Sequence, residues 1–275
     1  MVDSRFNVRG SKLSSNFGTR TASINIVIIG TGNTATVLGR RLRTAGHSIL
    51  QVFGRDSAAA SALAYELDTE STNYYNVVNR GADLYLVAVS DRAIPEVVSE
   101  LRLHDRLLVH TAASVSRDVL RGQAKQYGVF YPLQSLRKET DRQPEIPIII
   151  DASDDATLRQ LEVLAYSIAD RVVQAGDEER RRLHLSAVVV NNFVNHLYTL
   201  TEAYCRSEGL DFYLLLPLIR ETAARLQDVP PAASQTGPAI RGDQQTVEAH
   251  LRLLEAYPQL RRIYGLMTES IRAGR

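Results

Sequence analysis

The sequence contains one cysteine, Cys205, among its 275 residues. A single thiol excludes an intramolecular disulfide framework and a cysteine-based zinc cluster, so we predict no metal site and a reducing, cytoplasmic setting. An excess of charge is also missing, because 32 lysines and arginines stand against 31 aspartates and glutamates. A formal net charge of +1 provides no bulk attraction to nucleic acids or acidic membranes. A small molecule is therefore the expected ligand.

Long apolar runs are missing too. Apolar runs such as those in the IVIIG region, at residues 187–190 and at residues 214–216 are far shorter than the roughly 20 residues that a membrane-spanning helix needs. Residues 1–22 intersperse basic side chains with serine, threonine, asparagine and glycine. They lack the apolar stretch of a signal peptide, so we expect a flexible tail there and no membrane partner.

From residue 23 onward the sequence shows a regular alternation of two kinds of segment. Apolar runs of strand length alternate with longer amphipathic stretches, which is typical of βαβ units with buried parallel strands. We predict strands at residues 24–29, 49–53, 84–89, 107–110, 128–131, 148–150 and 171–173. After about residue 176 the sequence is almost wholly helical. The predicted fold is an α/β Rossmann domain, doubly wound and mostly parallel, over residues 23–175, followed by an all-α domain over residues 176–275.

A glycine-rich turn follows the first predicted strand and opens a helical pattern. Its residues are Gly30, Thr31, Gly32, Asn33, Thr34 and Ala35. The first glycine permits a tight turn, the second lets the backbone approach a diphosphate, and a small third residue allows close helix packing. The free N–H groups and positive dipole end of the helix favour phosphate oxygens. The turn predicts a dinucleotide site, with a plain glycine turn between strand and helix as the alternative.

The end of the second predicted strand bears on the choice between NAD and NADP. NAD enzymes usually carry a carboxylate there for the ribose hydroxyl, whereas NADP enzymes offer cationic groups for the 2′-phosphate. Here Gly54 occupies the acidic position, Arg55 can pair with the phosphate through its planar fork, and Ser57 can donate a hydrogen bond. The sequence therefore predicts NADP. In the alternative interpretation, Arg55 is a solvated charge and Asp56 or Ser57 caps the next helix.

Two further strand ends face the same crevice, since ligands bind outside the carboxyl ends of parallel strands. Val89 and Ser90 end one strand, and His110 and Thr111 end the next. Small and hydroxylated residues there would let a nicotinamide ribose lie close to the backbone. His110 can equally be a satisfied core histidine, and Asp91 is expected to cap the following helix rather than to act as a catalytic acid.

These motifs carry a family resemblance. The GTGNTA turn, the GRDS continuation, the AVSD strand end and the helical second half resemble the superfamily of 6-phosphogluconate dehydrogenase, pyrroline-5-carboxylate reductase and ketopantoate reductase. With HTAAS, YPLQSL, NNFVNHLY and TGPAIRGD, the chain is similar from residue 23 onward to a bacterial Rossmann-like family with a domain of unknown function, DUF2520. The resemblance implies a nucleotide-binding fold with a helical C-terminal domain and a redox activity that depends on NADP or a deazaflavin. It implies no particular substrate.

The long helix predicted after the domain boundary carries an unusual polar stripe. Residues at steps of four and three share a helical face, and here they are His184, Val188, Asn191, Asn195, Tyr198 and Glu202. In the hydroxyacid dehydrogenases that the chain resembles, the corresponding helix lines the nicotinamide pocket and carries a lysine acid/base, which is missing here. We predict that His184 acts as the general acid/base and that Asn191 and Asn195 orient a carbonyl or imine. A histidine with a purely structural role between the domains is the alternative.

The sequence TGPAIRGD, residues 236–243, is a second distinctive element. Two glycines and a proline fix the loop, Asp243 is placed to cap the next helix, and Arg241 projects between them. Such an arginine can clamp a substrate carboxylate, or it can pair with Asp243 or a neighbouring subunit. The strand end from Tyr131 to Ser135 is expected to line the same pocket through backbone shape rather than proton transfer.

Two functional classes fit these features. The first is an NADP(H)-dependent oxidoreductase acting on a small carbonyl, hydroxy or imine substrate held between the two domains. The second is a nucleotide-binding sensor or scaffold without turnover, which the missing lysine favours because a fold alone does not establish activity. In either case, the apolar stretches at residues 187–190 and 214–216 predict a homodimer formed through the helical domain.

Overall fold

The computed structural model describes residues 22–101, 103, 105–140 and 144–274. The tail expected at residues 1–22 lies outside the described residues, with the exception of Ala22. Internal contacts divide the chain into two compact units, Met1–Ala187 and Val188–Arg275. None of the described helices combines the length and the apolar composition needed to cross a membrane.

The first unit is built on one eight-stranded sheet. Its strands are β1 (Asn25–Ile29), β2 (Ser48–Phe53), β3 (Glu70–Thr72), β4 (Leu84–Val87), β5 (Leu107–His110), β6 (Gln126–Pro132), β7 (Ile148–Ala152) and β8 (Val172–Gln174). Their spatial order is β3-β2-β1-β4-β5-β6-β7-β8, and every neighbouring pair is parallel except β6 and β7. This topology confirms the predicted doubly wound, mostly parallel Rossmann domain. It brings the carboxyl ends of β1, β2 and β4 to one edge, at the point where the strand order reverses.

Two features of the sheet differ from the sequence-based expectation. The short strand β3 is not predicted, because Glu70, Ser71 and Thr72 contain no apolar residue and the strand is held by its pairing with β2. The strand β7 runs antiparallel to β6. The described part of the connection between these two strands forms no helix, whereas parallel neighbours are usually joined through one.

Side chains pack on both faces of the sheet. The helices of the first unit are α1 (Asn33–Thr44), α2 (Ser57–Glu66), α3 (Ile94–Leu101), α4 (Asp155–Tyr166) and α5 (Asp177–Ala187). Successive residues of β1 point to opposite faces, so Ile26 and Ile28 join one core cluster while Val27 and Ile29 join the other. The first cluster includes side chains from α1, α2 and α4, and the second includes those of α3. The sheet is therefore the middle layer of three.

The second unit is helical, with short 3-10 turns between its helices. Its longer elements are a π-helical turn (Val188–Phe193), α6 (Val194–Ser207), α7 (Leu216–Ala224), α8 (Pro238–Arg241), α9 (Gln244–Leu253) and α10 (Pro258–Ala273). These elements confirm the predicted all-α second half. Only four apolar side chains in its described part are buried, namely Cys205, Ala239, Val247 and Leu254. The unit therefore has little hydrophobic core of its own.

The division between the units falls after Ala187, later than the boundary expected near residue 175. The helix α5 groups with the sheet because Arg180, which is fully buried, ties it there. Its Nε donates to the carbonyl oxygen of Ala113 at 3.1 Å, and its Nη2 donates to that of Val115 at 2.7 Å. Nη2 also donates to Asp177 Oδ1 at 2.6 Å. Since Ala113 and Val115 follow β5, these bonds fasten α5 to the carboxyl edge of the sheet.

A second arginine–carboxylate pair lies beside this anchor. Arg117 Nη1 donates to Asp151 Oδ1 at 2.8 Å, and Asp151 Oδ2 is 4.0 Å from Arg180 Nη1. Burial alone would raise the pKa of Asp177, but hydrogen bonds from Ser116, Arg117 and Arg180 lower it to about 2. The carboxylate therefore stays ionised at any physiological pH and continues to neutralise the buried guanidinium.

His110, the last residue of β5, is also fully buried. Its Nδ1 accepts a hydrogen bond from the backbone N–H of Ala112 at 3.2 Å. Burial, followed by the nearby charge of Arg180, lowers the His110 pKa to about 4. The ring is therefore neutral at physiological pH.

The buried His110 predicts a loss of stability in mild acid. Its folded-state pKa of about 4 lies below the ordinary value of 6.5, so the unfolded chain binds the extra proton first as the pH falls through this window. The free energy of unfolding should therefore decrease from pH 6.5 to pH 4, by up to about 3 kcal/mol from this group. Urea unfolding of His110→Gln should show a shallower pH dependence there, whereas the exposed control His196→Gln should keep the wild-type slope. Equal slopes for His110→Gln and wild type would refute this prediction.

Candidate functional site

The carboxyl ends of β1, β2 and β4 border a crevice of about 490 Å³ in the first unit. Nine of the residues predicted to bind the cofactor line it: Gly30, Thr31, Gly32, Asn33, Thr34, Gly54, Arg55, Val89 and Ser90. The remaining lining residues are Phe53, Asp56, Ala88, Ala93 and Val97. Open α/β sheets bind ligands at such a reversal of strand order.

The two glycines of the turn after β1 are explained by different constraints. Gly30 has a φ of 129°, in the region that favours glycine, and a Cβ there would collide with the carbonyl oxygen of Ala88. Gly32 has an ordinary φ of −81°, and a Cβ on it would meet no protein atom within 4 Å. Neither backbone strain nor packing requires glycine at position 32. The open space in front of its Cα therefore fits a ligand that approaches the backbone closely.

The N-terminus of α1 is open to an anion. Gly32 is the N-cap residue and supplies no side-chain hydrogen bond, and no acidic residue occupies the first turn. Asn33 and Thr34, whose N–H groups belong to this uncapped turn, line the crevice. Unsatisfied backbone donors and the positive end of the helix dipole favour phosphate oxygens at such a position. The residues present therefore suit the diphosphate of a dinucleotide.

The carboxyl end of β2 has no room for an acidic side chain. A Cβ on Gly54 would lie 2.6 Å from Thr31 Cγ2 and 3.2 Å from Ala60 Cβ. Both separations are shorter than ordinary van der Waals contact, so the carboxylate of an NAD-type site would have to displace these neighbours. Arg55, the next residue, is exposed and lines the same crevice.

Asp56 and Ser57 belong to the start of α2. The Asp56 carboxylate accepts hydrogen bonds from the backbone N–H groups of Ala58 and Ala59, at 2.9 and 3.2 Å, and so caps the helix. Ser57 is the first residue of that helix and lies outside the crevice lining. The capping role considered for Asp56 is therefore correct, and both Asp56 and Arg55 line the crevice.

Three other residues predicted to bind the cofactor are buried: Ala35, His110 and Thr111. The Thr111 hydroxyl donates to the carbonyl oxygen of Val87 at 3.4 Å. These side chains belong to the interior behind the crevice, so a cofactor role for them stays a prediction. The expectation that Asp91 caps a helix is wrong, because Asp91 is the first residue of a 3-10 turn whose N-cap is Ser90.

His184 and Tyr131 form a polar pair within the first unit. Tyr131 Oη lies 3.1 Å from His184 Nδ1, and the two rings meet edge-on at 78°. Burial, followed by the negative charge of Asp91, raises the pKa of Tyr131, so its hydroxyl keeps the proton at neutral pH. Asp91 directly follows Ser90 of the crevice lining. Tyr131 and His184 are not among the residues that line the crevice.

The contact between the Tyr131 hydroxyl and His184 is not predicted from the sequence. The strand pattern around Tyr131 gives no sign of the helix residue that its hydroxyl meets. Arg180 is missed as well, because it is one of three consecutive arginines, residues 180–182, that look alike in the sequence. The available signal is spacing, since Arg180 and His184 are four residues apart and so share one face of α5.

The other predicted catalytic residues lie in the second unit. Asn191, in the π-helical turn, and Asn195, on α6, are both exposed. The π-helical turn does not keep the 3.6-residue period on which the predicted polar stripe depends. Arg241 is the exposed last residue of the short helix α8, and Asp243 caps α9 as expected. The catalytic roles of Asn191, Asn195 and Arg241 stay predictions.

Two family models match the chain. Residues 25–114 match the model described as NADP oxidoreductase, coenzyme F420-dependent, and residues 146–271 match a domain of unknown function, DUF2520. The first match runs from β1 past β5 and includes the whole crevice lining. Among curated proteins, none matches the sequence.

Solved structures match over almost the whole chain. A Bacteroides fragilis protein assigned as an NADP oxidoreductase is 38% identical, with 92% of this chain and 99% of that chain covered and a TM-score of 0.85. An imine reductase from Myxococcus stipitatus, in complex with NADP⁺, is 18% identical over 90% of this chain and 93% of that chain, with a TM-score of 0.62. A reductive aminase from Aspergillus terreus, in complex with NADPH and ethyl-5-oxohexanoate, is 15% identical over 92% and 95%, with a TM-score of 0.69. The last two matches show a shared fold.

The match at 38% identity over nearly two complete chains is sufficient to assign the family. Together with the two family models, it confirms the resemblance carried by the GTGNTA, HTAAS, YPLQSL and TGPAIRGD motifs, and it confirms NADP as the cofactor. The chain belongs to the same NADP oxidoreductase family as the Bacteroides fragilis protein, and it joins an F420-dependent-type NADP oxidoreductase domain to a DUF2520 domain.

Proposed function

We propose that the chain transfers hydride between NADP(H) and a small carbonyl, hydroxy or imine compound. The observation that carries this proposal is the crevice at Gly32, where an uncapped helix N-terminus meets open space that no side chain fills. Such a site suits the cofactor diphosphate. An imine reductase and a reductive aminase share the fold, which supports a C=N or C=O bond as the one reduced.

Arg55 selects NADP(H) over NAD(H) in this proposal. Gly54 leaves no place for the carboxylate that binds an unphosphorylated ribose, and Arg55 lies in the same crevice lining. A guanidinium binds phosphate through parallel N–H donors and stays charged at all physiological pH values. The ribose 2′-phosphate therefore binds beside Arg55.

His184 is the proton donor in this proposal. When bound, the reduced nicotinamide supplies the hydride, and the protein supplies position and proton transfer. The His184 imidazolium donates from Nε2 to the oxygen or nitrogen that receives the electron pair of the reduced double bond, and the ring is left neutral. The helix from α5 through α6 contains no lysine that could do this instead.

The helical unit is proposed to form a homodimer. Its described part buries few apolar side chains, while large ones are exposed: Val189, Val190, Phe193, Leu210, Tyr213, Leu214, Leu218, Leu226, Leu253, Leu266 and Met267. Each Å² of apolar surface removed from water contributes about 25 cal/mol. A second copy of the chain can cover this surface with the same surface of its own, as two-fold symmetric dimers do.

The variant Arg55→Ala should weaken NADPH binding and leave NADH binding nearly unchanged. Losing one charge-assisted hydrogen bond costs about 1 to 3 kcal/mol, which is roughly 5- to 150-fold in Kd. Isothermal titration calorimetry with both cofactors measures this difference. Arg159→Ala is the matched control, because Arg159 is exposed beside a separate cavity next to Ile24 and Asp83, and neither affinity should change. Equal affinities of the unmodified protein for NADPH and NADH would contradict the selection by Arg55.

The variant His184→Ala should lose turnover and keep its affinity for NADPH. Loss of a general acid lowers the rate by roughly 10²- to 10⁴-fold. The assay follows NADPH oxidation against a panel of small carbonyl and imine compounds, with the exposed His196→Ala as control. Full activity in His184→Ala would rule out the proton role. Tight NADPH binding without turnover of any compound would favour a sensor or scaffold instead.

Light scattering of the unmodified protein at micromolar concentration should give twice the chain mass of 30.5 kDa. The variant Leu214→Glu should shift this mass toward that of the monomer, because the Leu214 side chain is 77% exposed and a carboxylate there opposes apolar burial. Tyr65→Glu is the matched control, since Tyr65 is 90% exposed on the Rossmann unit. A monomer mass for the unmodified protein would overturn the homodimer proposal.

A further inference from the structure

We propose that Tyr131 is a positioning residue for His184, which it holds through Nδ1 so that Nε2 is the nitrogen that exchanges a proton with the substrate. The inference deepens the proposed function and rests on it. The distance of 3.1 Å from Tyr131 Oη to His184 Nδ1, with the rings edge-on, is that of a direct hydrogen bond. This bond engages one ring nitrogen and leaves the other one free for chemistry.

Both members of the pair lie on regular secondary structure. Tyr131 is in β6, where it pairs with Ile149 of β7. His184 is on α5, one turn after Arg180, whose guanidinium fastens the helix to the segment after β5. Because residues four apart share a helical face, the buried anchor and His184 lie on the same side of α5. The geometry of the pair is therefore set by a strand and an anchored helix rather than by a loop.

A tyrosine hydroxyl can serve both protonation states of a histidine, because it both donates and accepts hydrogen bonds. In the neutral ring that remains after proton delivery, Nδ1 keeps its proton and donates to Tyr131 Oη; in the other neutral tautomer, with the proton on Nε2, the Tyr131 hydroxyl donates to Nδ1. When the ring is an imidazolium, Nδ1–H donates to Tyr131 Oη. The raised pKa of Tyr131 keeps its hydroxyl protonated in both states. The same contact therefore orients the ring before and after it takes up a proton.

Proton delivery under this arrangement is balanced. The Nε2–H bond of the His184 imidazolium breaks, and a new O–H or N–H bond forms on the substrate atom that has received the electron pair of its reduced double bond. The ring becomes a neutral imidazole with its remaining proton on Nδ1, still bonded to Tyr131 Oη. Uptake of a solvent proton at Nε2 restores the imidazolium. Tyr131 itself gains and loses no proton.

The first experiment is ¹⁵N NMR of the histidine rings in the full chain, which needs no substrate. The His184 signals are identified by their loss in His184→Gln. In Tyr131→Phe, which removes only the hydroxyl, the Nδ1 resonance of neutral His184 should shift to the position of an unbonded ring nitrogen. The signals of the buried His110 should stay unchanged and report an intact fold. Tyr127→Phe, on the same strand, should leave the His184 signals unchanged. An unchanged His184 Nδ1 resonance in a folded Tyr131→Phe protein would overturn the proposal.

The second experiment separates positioning from independent catalysis. With a compound that is turned over, Tyr131→Phe should lower kcat about tenfold, the effect of one lost hydrogen bond, and change KM little. In the His184→Ala background the same substitution should cause no further loss, because Tyr131 acts through His184. A kcat of the double variant that falls by the product of the two single losses would show that Tyr131 acts independently of His184, and the proposal would fail. If no compound is turned over, the proposed function fails, while the NMR result still decides whether Tyr131 holds His184.

Discussion

Arg180 is a charged side chain without solvent exposure, and the position of α5 depends on the groups that satisfy its charge. The carbonyl oxygens of Ala113 and Val115 and the carboxylate of Asp177 accept its hydrogen bonds. Removing one partner of a buried ion pair typically costs about 3 to 5 kcal/mol, because the other charge is left uncompensated. The helix therefore cannot slide along the sheet edge without breaking these bonds. His184 lies one turn later on α5, so the same hydrogen bonds of Arg180 fix its position.

The fold could be predicted where the cause is local. Buried parallel strands such as β1, β4 and β5 are continuous apolar runs, and each is separated from the next by a helical pattern, so the sequence itself shows the βαβ repeat. The strand β3 has no such run, since its pairing with β2 and not its composition makes it a strand. The antiparallel direction of β7 leaves no sign either, because an apolar run reads the same in both directions.

The candidate site also has one part that the sequence predicts and another that it does not. The glycines of the turn after β1 act through the backbone of that turn, so their pattern alone predicts the crevice. Tyr131 and His184 are 53 residues apart in the sequence, and their contact exists because Arg180 fixes the helix that carries one of them. The π-helical turn is equally hidden, since its sequence from Val188 to Phe193 contains no glycine or proline that would mark an interruption of the helix. The contact between Tyr131 and His184 is a tertiary one, which the periodicity of the sequence does not record.

The most direct test is the structure of the full chain in complex with NADPH. Cofactor bound as proposed would place its diphosphate about 3 Å from the first N–H groups of α1, its 2′-phosphate at Arg55, and its nicotinamide toward Ser90. The His184 ring would be bonded to Tyr131 through Nδ1, with Nε2 facing the nicotinamide. A diphosphate bound away from Gly32, or a His184 ring with Nε2 turned from the nicotinamide, would contradict this assignment of cofactor and proton donor.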